Sequence, residues 1–271
     1  SPLSEARMLA GEILGEVRQI IPDLISRIDD NRYGGQARDY LSQSHQNTEE
    51  VTRRFESRLH EVERHSAGVD LVWASDDNLP RVAAAILYPH MRASLADVLQ
   101  MVMGMSAEEK NEVIEAYLSG RSDRRHKPGR AFEEAVYTFD LVGNVGIWRD
   151  VQRHRMLTTE RQPLGVDLGY ETPQEFGEVV LGGENLADVY ERHMEQRAIL
   201  FNGIAANISP EVAQYVVGFG NLMRWRMTMN LREMYHLIPL RASPAGHPAY
   251  RKIAREMFYA AAKIDPELVM P

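Results

Sequence analysis

The sequence predicts a helix-rich α+β fold with a small mixed sheet. Three observations carry this. Apolar residues recur at helical spacing along most of the chain, only two short stretches (69–74 and 136–142) have strand-like composition, and 158–184 is rich in loop formers.

Residues 4–29 read as an amphipathic helix, with Ile13, Val17, Ile20, Ile21 and Leu24 on one stripe and Pro22 placed to interrupt it. Residues 30–47 are polar, contain Gly34-Gly35 and read as a loop. Asn47 followed by Glu50 marks the start of a charged helix to about His65, ended by Ser66-Ala67-Gly68. After the strand 69–74, Asn78 is the expected cap of a helix opening at Pro80. A Met-rich helix spans 93–104, and Ser106 with Glu109 forms a capping box for the next, to about Leu118. Residues 120–130 are a basic loop, 136–142 a strand, and Gly143-Asn144 a turn into a helix ending near Arg153-His154-Arg155. Further helices are expected at 186–206, 210–223 and 225–238, the last stopped by Pro239, and a final one at 248–265.

The chain has 271 residues, 44% hydrophobic and 26% charged, which excludes wholesale disorder. A net charge of −8 argues against a dedicated nucleic-acid binder but leaves room for a small anionic ligand held by a local cluster. Cysteine is absent, which removes disulfides, thiolate metal sites and a Cys nucleophile, and suits a reducing, cytoplasmic setting. No apolar run is long enough for a membrane helix, and no signal peptide is recognisable.

The two ends resemble each other. Arg7, Ala10, Glu12, Ile20, Pro22 and Leu24 match Arg251, Ala254, Glu256, Ile264, Pro266 and Leu268 at constant spacing. Ser1-Pro2 and Ser243-Pro244 stand before the two segments, with two extra residues in the second. Two amphipathic helices with chance identities would be the plain account. The identities favour a tandem parent in which residues 1–29 are the tail of a preceding copy, 30–68 a linker and charged helix, and 69–271 the main domain. Ser1 in place of Met agrees with a piece of a longer product.

Three clusters can carry chemistry. Arg153-His154-Arg155 brings two permanent cations and an imidazole together, suited to an anionic or planar ligand. Taken alone, it reads first as a solvated helix end, where cations complement the dipole. Asn230-Leu231-Arg232, His236 and Arg241 form the second; Arg232 and His236 share a helix face. By itself this is an ordinary polar stripe. The third is Glu133, at the entrance to the second strand. Weaker signals are the basic loop 121–130, the Glu61/His65 pair, His90, the methionines at 91, 101, 103 and 105, and Trp225 between two arginines. All read more simply as surface, turn or core. No metal site and no side chain for covalent catalysis is expected.

In combination, Glu133, Arg153-His154-Arg155, Asn230-Leu231-Arg232, His236 and Leu240-Arg241 resemble the flavin-dependent thymidylate synthases in order and spacing over roughly 69–271. The resemblance implies that family's fold. It implies FAD held by Arg153, His154, Arg155, Glu133, Asn230, Arg232 and His236, with a pyrimidine nucleotide at Arg241 and Thr158. NADPH and methylenetetrahydrofolate would be cosubstrates, in the reductive methylation of deoxyuridine monophosphate to thymidylate. It also implies a homotetramer, or a tandem partner supplying complementary half-sites.

The nucleotide half departs from the family pattern. Asp150 stands in place of Gln, Glu160 of Asn, Arg161 of Glu, Pro163 of Ser, Gly165 of Arg, and Gln214 of a phosphate-binding Arg. A phosphomonoester needs charge-assisted donors, and these changes remove two of three expected arginines and add acid. A non-catalytic domain kept for assembly with an active copy, or one with a changed nucleotide substrate, is therefore the alternative.

Overall fold

The computed structural model describes residues 3–29, 34–56, 58–59 and 67–270. Glu61, His65 and Ser1-Pro2 lie outside the described residues. The chain divides into two compact units, Ser1–Arg64 with Asn207–Val212, and His65–Ala206 with Ala213–Pro271.

In the first unit, α1 (Ser4–Ile20) is followed at once by α2 (Pro22–Asp29). Pro22 therefore opens a helix, the position where its missing amide costs nothing. Arg18 bridges to Asp29 at 2.6 Å. The expected loop 30–47 is corrected in its second half, because α3 runs Gln36–Glu56. After Gly35 the segment carries Gln, Ala, Arg and Leu but no breaker, so polar composition does not prevent a helix. Asn47 is not a cap; it accepts from Gln43 at 2.8 Å, one turn back.

The second unit begins with β1 (Gly68–Ala74) and α4 (Asn78–Leu87). Asn78 does not cap this helix. Its buried side chain donates to Asp265 at 2.7 Å, and Tyr137 donates to the same carboxylate at 2.7 Å. Burial and that carboxylate push the Tyr137 hydroxyl far above its ordinary pKa, so it stays protonated and donating. Next come α5 (Leu95–Met103) and α6 (Ala107–Leu118), the latter opened by the complete Ser106/Glu109 capping box. The central hairpin-like ladder and its flanks are β2 (Val136–Asn144), α7 (Val145–Val151) and β3 (Thr158–Arg161). A two-residue ladder, β4 (Val180–Leu181) with β5 (Glu184–Asn185), precedes α8 (Leu186–Asn207); the last residue of α8 and all but the last of the short α9 (Pro210–Ala213) are grouped with the first unit. The chain closes with β6 (Leu222–Asn230), α10 (Leu231–Arg241), α11 (Pro248–Ala262) and α12 (Pro266–Val269).

The main sheet has the order β1-β2-β6-β3. The mixed sheet expected from sequence is antiparallel at every described pairing. The largest correction is β6, where helices 210–223 and 225–238 were expected. Met223, Trp225, Met227 and Met229 are buried while Arg224, Arg226 and Thr228 are not, a period of two that fits a strand with one face on the core. Methionine and arginine are good helix formers, so propensity misleads here and alternation decides. Tyr137, Phe139 and Leu141 of β2 pack on the same core, and Trp148 lies 5.6 Å from Trp225. Pro239 does not stop the helix but sits inside α10, which continues to Arg241.

Candidate functional site

The site grows from the β6–α10 junction. Asn230 ends the strand and caps the helix, its Oδ1 accepting from the Glu233 amide at 2.9 Å. That cap fixes the direction of α10. Arg232 then donates through Nη1 to Glu133 at 3.2 Å and through Nε to the Pro128 carbonyl at 3.0 Å. Glu133 also receives Arg130 at 3.2 Å. The strand-entrance carboxylate and the Asn-x-Arg element, about a hundred residues apart in sequence, thus form one contact.

The basic loop closes over the same helix. Arg121 lies 4.9 Å over the ring of Tyr235. His236 is held below its ordinary pKa by burial first, then by the charge of Lys127, with smaller pushes from His154 and Arg124 against a pull from Glu233. The loop 121–130 is exposed apart from Pro128, as a solvated run would be, and its Lys127 and Arg124 add to the lowering that burial begins at His236.

Beneath this surface lies a buried strut. His154 and Glu233 are both buried, and His154 Nδ1 meets Glu233 Oε1 at 2.9 Å. Arg241 donates through Nε to His154 Nε2 at 3.0 Å and through Nη2 to the Asp150 carbonyl at 2.5 Å. An arginine can only donate, so Nε2 must accept and the His154 proton sits on Nδ1, given to Glu233. The His236 ring packs edge-on at 5.6 Å. Donor atoms of His154, Glu233 and His236 lie within 4.8 Å of one another. Yet a metal would need a lone pair on His154, and both ring nitrogens are engaged. The cluster reads as a hydrogen-bonded strut.

The remaining expected residues stay outside this strut. Arg153 is 70% exposed, with a loose 3.8 Å contact to Asp150, and Arg155 is exposed. Thr158 is exposed on β3, in register with Thr228. Gln214, in the place of an expected arginine, accepts from the Leu164 amide at 3.2 Å and so pins the loop after β3. Sequence reasoning missed Glu233. Its place three residues after an Asn cap marks it as a helix-start surface carboxylate, whereas the side chain turns inward to His154.

Against known proteins, the family model described as thymidylate synthase complementing protein matches residues 71–267. The chain belongs to the flavin-dependent thymidylate synthase family. It is 34% identical over 266 residues to the UPF0159 protein of Chlamydia muridarum, covering 97% of this chain and 49% of that protein. A UPF0159 protein of Chlamydia pneumoniae is 32% identical over 97% of this chain and 48% of its own length. The chain thus spans about half the length of the curated relatives it matches. Among solved structures, thymidylate synthase X from Helicobacter pylori, crystallised with FAD and dUMP, has the same fold. Its TM-score is 0.53 at 16% identity, covering 76% of this chain and 98% of that one. Within the family frame, the Arg-His-Arg triplet of this chain is split: its histidine is interior and its two arginines face solvent. No described helix is long and apolar enough to cross a membrane.

Proposed function

We propose that this thymidylate synthase-like domain binds FAD and lacks a self-sufficient site for deoxyuridine monophosphate. The observation that carries the reading is the contrasting use of arginine. Arg241, the surviving candidate for the nucleotide phosphate, is held by the protein through two of its three guanidinium nitrogens, Nε on the buried His154 and Nη2 on the Asp150 carbonyl. Gln214 is committed to the Leu164 amide, and Glu160 adds a negative charge on β3.

The flavin half fits its ligand better. A pyrophosphate carries two charges and seeks free guanidinium donors. Arg153 and Arg155 project into solvent, and Arg232, anchored by Glu133 and Pro128, keeps Nη2 for a ligand. Lys127 and Arg124 add positive charge near His236. Asn230, His154 and Glu133 hold these groups in place. When bound, the flavin would supply hydride chemistry, and the protein would supply orientation and positive charge.

NADPH, methylenetetrahydrofolate and the full methyl transfer belong to this reading only if a second domain or subunit completes the nucleotide site. A homo-oligomer or a tandem partner would do so. The alternative, an assembly domain without a ligand, rests on the same inward Arg241.

The test is the visible spectrum of the purified chain after incubation with FAD and gel filtration. Retained flavin bands, unmoved by deoxyuridine monophosphate, are expected. A colourless protein at saturating FAD sinks the flavin assignment, and bands shifted by micromolar nucleotide sink the claim of a lost site.

A further inference from the structure

The two ends of the chain are alike in structure as well as in sequence. At the spacing that aligns Arg7 with Arg251, α1 begins at the position equivalent to the start of α11, and α2 at that of α12. Pro22 and Pro266 occupy the same place, each the first residue of the second helix. Two unrelated amphipathic helices have no reason to break and restart in register.

What differs is burial. In the second pair, Ile253, Ala254, Met257, Ala261 and Leu268 are between 0% and 4% exposed, all packed in the core. Their equivalents in the first pair are Leu9, Ala10, Ile13, Val17 and Leu24, each again small or apolar. Here Leu9 is 55%, Ile13 54% and Leu24 67% exposed, and α1 buries no residue. The first pair thus keeps the apolar stripe that buries the second and leaves it open to water. Such a stripe costs free energy unless something covers it.

We propose that α1–α2 is the closing helix pair of a preceding domain of this same fold in one polypeptide. It would fill there the groove that α11–α12 fills here. Length supports the occupant. The chlamydial relative matches 97% of this chain with only 49% of its own residues, leaving room for a second domain of this size. The proposal stands apart from the flavin reading, since it concerns packing alone.

The test uses the full-length product of the gene encoding these residues. Native-state hydrogen exchange is expected to show α1–α2 amides as slow as those of α11–α12. Ile13→Asp is expected to lower one unfolding transition and Met257→Asp the other. Should Ile13→Asp prevent expression, Leu9→Ala with Leu24→Ala reads the same transition more gently. The proposal is overturned by a product with no domain of this fold upstream, including one joined into a homodimer through α1. Fast exchange in α1–α2, with neither transition moved by the variants, overturns it equally.

Discussion

Arg232 and Arg241 stand at opposite ends of one helix and have opposite fates. Arg232, next to the cap, is 36% exposed and is braced from the outside by Glu133 and the Pro128 carbonyl. Arg241, in the last turn, points inward onto His154 and the Asp150 carbonyl. Both fit a family signature and each gives two guanidinium nitrogens to the protein, but Arg241 is tied to the buried His154 and Arg232 to the half-buried Glu133 and the Pro128 carbonyl. A motif fixes which residues are present; the neighbours decide what their hydrogen bonds hold.

The sharpest way to break this contrast is to attack the interior end. Glu233→Ala would leave the His154 Nδ1–H buried without its acceptor. Removing one partner of a buried pair typically costs about 3–5 kcal/mol. Urea unfolding should show a loss of that size, and Glu233→Gln, which keeps an acceptor oxygen, a clearly smaller one. An unchanged midpoint for Glu233→Ala would mean that the strut carries no weight.

The two arginines can then be compared directly. Arg241→Ala removes the donors to His154 Nε2 and the Asp150 carbonyl, at about 1–3 kcal/mol for each buried group left unpaired. Its effect should appear in unfolding rather than in FAD affinity. Arg232→Ala, by contrast, should weaken FAD binding roughly 10- to 100-fold, as expected for a charge-assisted hydrogen bond of about 1.5–3 kcal/mol, with little change in stability. Flavin fluorescence titrations of both variants decide the matter. If Arg241→Ala proves the more damaging to FAD, the assignment of Arg232 to the ligand and Arg241 to the buried strut is wrong.

How much of this was legible beforehand varies by region for physical reasons. The Ser106 capping box and the β2 strand followed from short-range chemistry, whereas the contact of Glu133 with Arg232 was not foreseen although both belong to the resemblance. β6 did not, because its methionines and arginines favour helix intrinsically and only their alternation betrays a strand. The inward turn of Arg241 was invisible, since it depends on His154, 87 residues away in sequence. Glu233 was hidden for the same reason: a capping position suggests solvent, while the tertiary fold supplies a buried imidazole. The basic loop showed its charges but not that Lys127 and Arg124 lie near enough to His236 to add to the effect of its burial.

The smallest expected effect links the two ends through pH. His236 is held below its ordinary pKa of 6.5 by burial and by Lys127, His154 and Arg124, with Glu233 opposing. The folded state therefore binds a proton less readily than the unfolded chain. The His236 contribution to stability is present above about pH 6.5 and fades as the pH falls through the lowered folded value. His236→Asn, which cannot titrate, should flatten the fall in melting temperature between pH 7 and pH 5. An anionic ligand beside Lys127 and Arg124 would neutralise part of the charge that disfavours the imidazolium. FAD should then raise the His236 pKa toward its ordinary value and flatten the same curve in the native sequence, but not further in His236→Asn. Melting curves at the two pH values, with and without FAD, measure this coupling directly. If FAD leaves the native slope untouched, the ligand's phosphates do not sit beside the basic loop, and Arg153, Arg155 and Arg232 remain to hold them.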